Sequence, residues 1–248
     1  MIHKNRKWPR KQGSSAKRKP IFVSLVLLLN SMQHQCASGA DLSKLPLQTQ
    51  SIVKGEIRGK FEIIDESYLG AKWIKWSQAL KVLHISGDMD IDADGSPNAL
   101  QLDPMYGQLS TSYTFPGERG QRRFLDSEKV PYYVLPGRKE SALYKRFGVK
   151  LGDIAVISYK DTYCYAIYGD VGPSKKFGEA SLLVADQLGF NPYSSVRGKR
   201  RVTRGISEGV SYLIFPNSAV KNLTPEDARD KIEKAGLQLL KKLNEPQQ

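Results

Sequence analysis

Two carboxylates nine residues apart, Asp170 and Glu179, lie in glycine-bearing stretches whose residue types suit acid–base chemistry. Asp170 sits in Tyr168-Gly169-Asp170-Val171-Gly172-Pro173, which reads as a turn at the end of an apolar strand. Glu179 sits in Phe177-Gly178-Glu179-Ala180-Ser181 and opens an expected helix that runs to Leu188 and stops at Gly189. A carboxylate leaving a strand and another opening the next helix can converge across a cleft. Hydrolysis of a glycosidic bond needs such a pair: a protonated acid for the leaving oxygen and a second carboxylate for water or the anomeric carbon. Carboxylates are also common in surface turns and at helix starts, where the backbone dipole favours them. Residue types alone leave both readings open. A helix start also lowers the pKa of a Glu that must keep its proton to act as an acid.

A second acidic group is Asp88, Asp90, Asp92 and Asp94, followed by Gly95. Its D-x-D-x-D-G run resembles the first half of an EF-hand loop. The twelfth position counted from Asp90 is Gln101, where such a loop needs a bidentate Glu. Contact with a cationic substrate, a solvated turn and a looser calcium site remain as readings. Trp73 and Trp76 would share a face on a helix, as sugar-stacking or core residues alike. Gly205-Ile206-Ser207-Glu208-Gly209 fits G-x-S-x-G by coincidence, because a basic loop precedes it and a strand follows.

The chain has 248 residues, with 38 Lys+Arg against 25 Asp+Glu, for a formal charge of +13. Eight of those charges belong to residues 1–19, which hold no acid, while residues 41–196 carry 19 of each sign. The basic segment precedes a short apolar run, Ile21–Leu29, and then the small residues Cys36-Ala37-Ser38-Gly39-Ala40. The run is about half the roughly 20 residues a spanning helix needs. This is the layout of a secretory signal peptide over residues 1–40, cleaved near Asp41. Cleavage leaves Cys164 and His84 as the last Cys and His, too few for a zinc site. Cys164 lies in an apolar alternating run and reads as an inert buried thiol. No metal and no cofactor are expected. The basic run Arg197, Lys199, Arg200, Arg201 and Arg204 lacks interleaved aromatics beyond Tyr193, so nucleic acid is not an expected partner. For a cleft that binds a polycation, this run should face away.

Short β-like runs must position these groups: 60–64, 80–85, 130–135, 154–158, 163–168 and 210–215. The fourth and fifth are joined as a hairpin through Tyr159-Lys160-Asp161-Thr162. Many short strands with few helical patterns point to a barrel or sandwich. Thr224 as cap and Pro225 as first helical residue begin an amphipathic helix with Ala228, Ile232, Ala235, Leu239 and Leu243 on one face.

The run from Gly152-Asp153-Ile154-Ala155 through Tyr165–Pro173, Phe177–Ser181 and Tyr212-Leu213-Ile214-Phe215-Pro216-Asn217-Ser218 resembles the fungal and bacterial chitosanases of glycoside hydrolase family 75. Asp88–Gly95, Gly107-Gln108 with Thr111-Ser112, and Val130–Pro136 resemble the same family in the same order. The resemblance spans about residues 85–218. It implies inverting endo-hydrolysis of chitosan and a mainly β fold, a β-barrel of double-psi type. Asp170 and Glu179 fall on the family's two carboxylates, as general base and general acid respectively. Lys175 and Lys176 would help keep Asp170 ionised, or belong to a solvated loop. Two departures stand out: Val171 where the family often has Thr, and Ala93 where fungal members have a cysteine.

The expected organisation is a signal peptide over 1–40, a hydrolase domain over 41–222 with a short helix after the catalytic loop, and a C-terminal helix over 223–248. The expected protein is a secreted chitosanase, with Asp90, Asp92 and Asp94 binding chitosan or a related amino-sugar polysaccharide and with no stable membrane insertion. A hydrolase of another amino-sugar glycan and a non-catalytic secreted carbohydrate-binding protein are the alternatives.

Overall fold

The computed structural model describes residues 38–243, apart from 57–59, 69–70, 118–120, 138–143 and 175. Residues 1–37 of the expected signal peptide, and Lys175, therefore lie outside the described residues. The first elements are β1 (Ala40–Asp41), a 3-10 turn (Leu42–Lys44), α1 (Leu47–Val53), β2 (Glu62–Tyr68), β3 (Ala71–Ser77) and β4 (Val82–Asp92). Then come α2 (Ala99–Leu102), β5 (Thr114–Pro116), β6 (Arg122–Phe124), β7 (Tyr132–Pro136), β8 (Ile154–Tyr159) and β9 (Thr162–Gly172). The last are β10 (Glu179–Ser181), α3 (Leu182–Gln187), β11 (Tyr193–Val196), β12 (Lys199–Val202), β13 (Ile206–Ile214) and α4 (Ala228–Lys242).

Six strands close on themselves in the order β10-β7-β9-β8-β13-β4, because β10 also pairs with β4. The β10–β4 and β7–β9 pairs are parallel and the other four antiparallel, so the expected β-barrel is a mixed, closed one. Closure leaves no open edge within this six-strand ring. Beyond β4, β3 and β2 extend the sheet.

Alternation along β4 explains the spaced aspartates. Leu83, Ile85, Met89 and Ile91 join one core cluster with Tyr133, Leu135, Ala166, Tyr168 and Ala180. The residues between them fall on the other face by the period of two, Asp88, Asp90 and Asp92 among them. On that other face Val134, Ile167, Val156 and Leu213 form a second cluster with α1 and α4. Helix α4 packs on β8 and β9. It buries Ala228, Ile232, Gly236 and Leu240, with Leu243 at its end. Each fully buried Ile or Leu there contributes about 2 kcal/mol.

Three local expectations change. The C-terminal helix starts at Ala228, not Pro225: Asp227 turns back to accept from the Thr224 amide at 2.9 Å, and residues 225–227 form a turn. Trp73 and Trp76 lie on a strand, β3, so helical spacing does not relate them; Trp76 stacks on Phe147 at 4.5 Å. Most consequential, Glu179, Ala180 and Ser181 are not the first turn of a helix. They form β10, wedged between β4 and β7, and the helix follows with Ser181 as its cap.

Candidate active site

Four neighbouring strands carry one row of residues across the barrel wall: Asp170 (β9), Val134 (β7), Glu179 (β10) and Asp90 (β4) are successive register partners. Asp170 is thus a strand residue, not a turn residue as its glycine-rich neighbours suggest. It reaches this row through a bulge. Tyr168 pairs with Tyr133, but Asp170 pairs with Val134, so the extra residue is Gly169. Without that bulge the period of two would put Asp170 on the face of Ala166 and Tyr168, inside the apolar cluster. With it, the carboxylate joins Val134 on the face that lines a cleft of about 970 Å³.

Asp170 is buried and accepts three hydrogen bonds on Oδ1: from the Ser112 amide at 2.8 Å, the Ser112 hydroxyl at 2.6 Å and the Val171 amide at 2.7 Å. All three donors leave Oδ2 for another partner. The Glu179 carboxylate occupies the space above Gly172, where a Cβ would come within 2.5 Å of its Oε2. Burial raises its pKa; Lys176 opposes this, and Asp90 and Asp170 add to it. The difficulty of a helix N-terminus vanishes, since Glu179 precedes the helix by a whole strand.

Asp92 and Asp94 converge on Asp170, with carboxylate oxygens of all three within 4.8 Å of one another. Burial, then the neighbouring carboxylate Asp94, lifts Asp92 well above the usual range. Asp94 is pushed up to about 6 by burial and by Asp170, against a hydrogen bond from the Gln108 amide. Such crowding of negative charge favours either shared protons or an arriving cation. Asp90 stands at the edge of the group and pairs with the Lys176 ammonium at 2.5 Å. The same ammonium lies 3.1 Å from Glu179 Oε1. Lys176 therefore serves Glu179 and Asp90 rather than Asp170, contrary to expectation.

Asp90, Asp92, Asp94, Asp170 and Glu179 all line the one cleft. Its far wall carries Met105 and Tyr106, both more than 70% exposed. Arg200 and Arg201 do not line it: Arg200 stacks on Tyr193 and Arg201 donates to the Gln101 carbonyl. Arg204 does, against the expectation that the whole basic run faces away. It precedes β13, whose first residue pairs with Met89 of β4, so the chain must pass beside the acidic strand. Ser112 and Val134 had no part in the expected site. Both lie in stretches that carry the family resemblance, Thr111-Ser112 and Val130–Pro136, but Ser112 stands in a polar loop and Val134 is an apolar strand residue like its neighbours, so residue type alone gives neither a role. His84 and Cys164 sit apart: His84 is buried against Ser211 at 2.7 Å, and burial pushes the Cys164 thiol far up.

This row of carboxylates on a closed β-barrel has a family context. The family model for the fungal chitosanases of glycosyl hydrolase group 75 matches residues 89–242, and the chain belongs to that family. The match encloses every cleft carboxylate named above and supports a chitosanase glycosidase. No curated protein matches the sequence.

Proposed function

We propose that this chain is a secreted, endo-acting chitosanase that cleaves β-1,4 glucosaminide bonds with inversion, Glu179 acting as general acid and Asp170 as general base. The observation that carries the reading is the placement of the two carboxylates on either side of Val134 in one acidic cleft. Their environments differ as the two roles require. Glu179, raised by burial, is the group equipped to hold a proton for the leaving oxygen. Asp170, its Oδ1 saturated by Ser112 and Val171, keeps Oδ2 to take a proton from water.

Inversion needs the two carboxyl groups roughly 6.5–9.5 Å apart, with room for a water between them. Glu179 Oε2 lies over Gly172, two residues along β9 from Asp170, which agrees with an acid and a base set apart along the strand. Asp90, Asp92 and Asp94 supply negative charge for the ammonium groups of the sugar chain. A cleft that a long polymer can lie across supports the endo-acting reading.

Export is supported by the basic-then-apolar layout of residues 1–40. Cleavage before Asp41 would keep the Asp41 carboxylate that caps the first 3-10 turn through the Ser43 amide at 2.9 Å. Among the described residues no helix is long and apolar enough to cross a membrane.

Reducing-end release from soluble chitosan tests the reading, comparing wild type with Asp170→Asn and Glu179→Gln. Each substitution should lower kcat by about 10²- to 10⁴-fold, and proton NMR of the first product should show the anomer inverted. Full activity in either variant, or retention of configuration, would overturn the assignment. N-terminal sequencing of protein recovered from the medium tests cleavage near Asp41.

A further inference from the structure

Lys176 places a cation where a substrate cation belongs. Its ammonium bridges Asp90 at 2.5 Å and Glu179 at 3.1 Å, inside the cleft that should bind a polycation. The backbone that follows it is tied down. Phe177 is buried in the core, Gly178 adopts φ +85° against Asp88, and the Gly178 carbonyl accepts from the Asp90 amide at 2.7 Å. The side chain itself is about one-third exposed and carries its ammonium on a flexible stem, so it can swing out while residues 177–178 stay put.

Sugar chemistry makes the coincidence specific. In a glucosaminide the C2 ammonium is vicinal to the glycosidic bond. A carboxyl that reaches the leaving oxygen is therefore within ion-pairing reach of that ammonium. Lys176 already satisfies Glu179 in this way, and Asp90 with it.

We propose that the Lys176 ammonium is a displaceable stand-in for the amino group of a glucosamine unit, occupying the Asp90–Glu179 site in the free enzyme and yielding it when substrate binds. This rests on the reading of Glu179 as the acid of a chitosanase. Displacement has two consequences. An N-acetylated unit brings no charge to replace Lys176 and leaves it in place, so Lys176 sharpens the preference for deacetylated units. Lys176 also keeps the free Glu179 more acidic than burial alone would make it. The other groups facing this pair are Asp88, Asp90 and Asp92 from β4, Asp94 beyond it, Asp170 from β9, Arg204 before β13, and the Tyr212 hydroxyl, which donates to the Asp88 carbonyl. Apart from Arg204, held to the Tyr193 carbonyl at 2.5 Å, and Tyr212, these are carboxylates. Among the described residues, removing Lys176 takes away the ammonium that pairs with Glu179 and leaves it facing these carboxylates.

The test compares wild type, Lys176→Met and Lys176→Arg on a fully deacetylated chitosan oligosaccharide and on a partly acetylated one. Lys176→Met should lower KM about three- to tenfold on the deacetylated substrate and leave it within twofold on the acetylated one. On the acetylated substrate, which carries fewer titrating amines, its alkaline limb of kcat/KM should move up by about half a pH unit or more. Lys176→Arg, which keeps the charge, should hold the wild-type limb. An active wild type with an unchanged KM and limb in Lys176→Met, or a KM that rises, would overturn the stand-in. A wild type that releases no reducing ends from chitosan would instead overturn the activity on which it rests.

Discussion

Glu179 and Asp170 are register partners of the same residue, Val134, which each meets from an opposite side. Strands lie about 4.8 Å apart, so the two α-carbons are held about 10 Å apart by the backbone ladder of the barrel. No loop has to close to bring them together. The separation of the two backbones is a property of the sheet, and the side chains set the distance between the carboxyl groups. This is the rigid support that acid–base geometry needs.

Ser112 should act as a positioning residue for Asp170. Its amide and hydroxyl fix one carboxylate oxygen, and the hydroxyl also accepts from the Val171 amide at 3.2 Å. Ser112→Ala removes the hydroxyl and leaves Oδ1 held by the Ser112 and Val171 amides alone, a looser hold on the carboxylate. The expected result is a kcat lower by about tenfold with KM within twofold, and near-complete rescue by Ser112→Thr. A purely structural role would lower the melting temperature and leave the kinetics of the folded fraction intact.

Tyr106 stands about three-quarters exposed on the cleft wall beside Met105. Its loop is held by Asp103, which accepts from the Met105 and Tyr106 amides at 3.1 Å. An aromatic ring presented in this way to a sugar-binding cleft offers a stacking face. Tyr106→Ala should raise KM for polymeric chitosan about five- to tenfold, with kcat little changed, while Tyr106→Phe behaves as wild type. Equal KM values for wild type and Tyr106→Ala would remove Tyr106 from the substrate path.

Stability should depend on pH through two opposing sets of buried groups. His84 is lowered to about 3 by burial and by Lys75, so the unfolded chain binds its proton first as pH falls below about 6.5. Stability is then lost between about 6.5 and 3, by up to about 1.4 kcal/mol per pH unit. Asp88 and Asp94 titrate the other way: each is raised to about 6 by burial, against an ordinary 3.8. Between those values the folded state holds the extra proton, so these carboxylates cost stability as pH rises to 6 and a constant amount above it. Asp94→Asn should therefore raise the melting temperature by about 2–5 °C at pH 7, a gain largely gone by pH 4. His84→Gln should be less stable at pH 7 and flatter between pH 6 and 4. Thermal melts of the three proteins across this range decide both signs.

Much of the barrel is legible in apolar alternation: 154–158, 163–168 and 210–215 all appear as strands, and the turn between the first two is where expected. The pair Asp170 and Glu179 is legible through the resemblance, and their local structure is not. Glu179-Ala180-Ser181-Leu182-Leu183 has helical propensity throughout, yet its first three residues are claimed by β4 and β7, whose backbone groups need partners. The Gly169 bulge that turns Asp170 outward has the same non-local origin: it is visible only once β7 is laid beside β9. Lys176 is three residues from Glu179 and six from Asp170, so the sequence already favours Glu179; its second partner, Asp90, is visible only once β4 is laid beside β10.

Gly236, in the middle of α4, sets intrinsic propensity against packing. Propensity alone predicts that Gly236→Ala stabilises the helix by about 1 kcal/mol. A Cβ at this position would, however, lie 2.1 Å from the Tyr165 ring, with further ring carbons at 2.4 and 2.8 Å. Tyr165 is itself buried on β9 among Ile232, Leu240 and Tyr163, so the ring has little room to retreat. Either α4 lifts from the barrel and gives up part of its buried face, or the ring leaves a well-packed position; overpacking of this kind costs about 1–3 kcal/mol. Packing wins, and Gly236→Ala should lower stability by about 1–2 kcal/mol net, measured by denaturant unfolding at pH 7. The paired substitution Gly236→Ala with Tyr165→Leu should recover part of the loss, because it removes the ring that the new methyl meets. A single variant more stable than wild type would mean that α4 slides easily on the barrel, and that its glycine is not there for the ring.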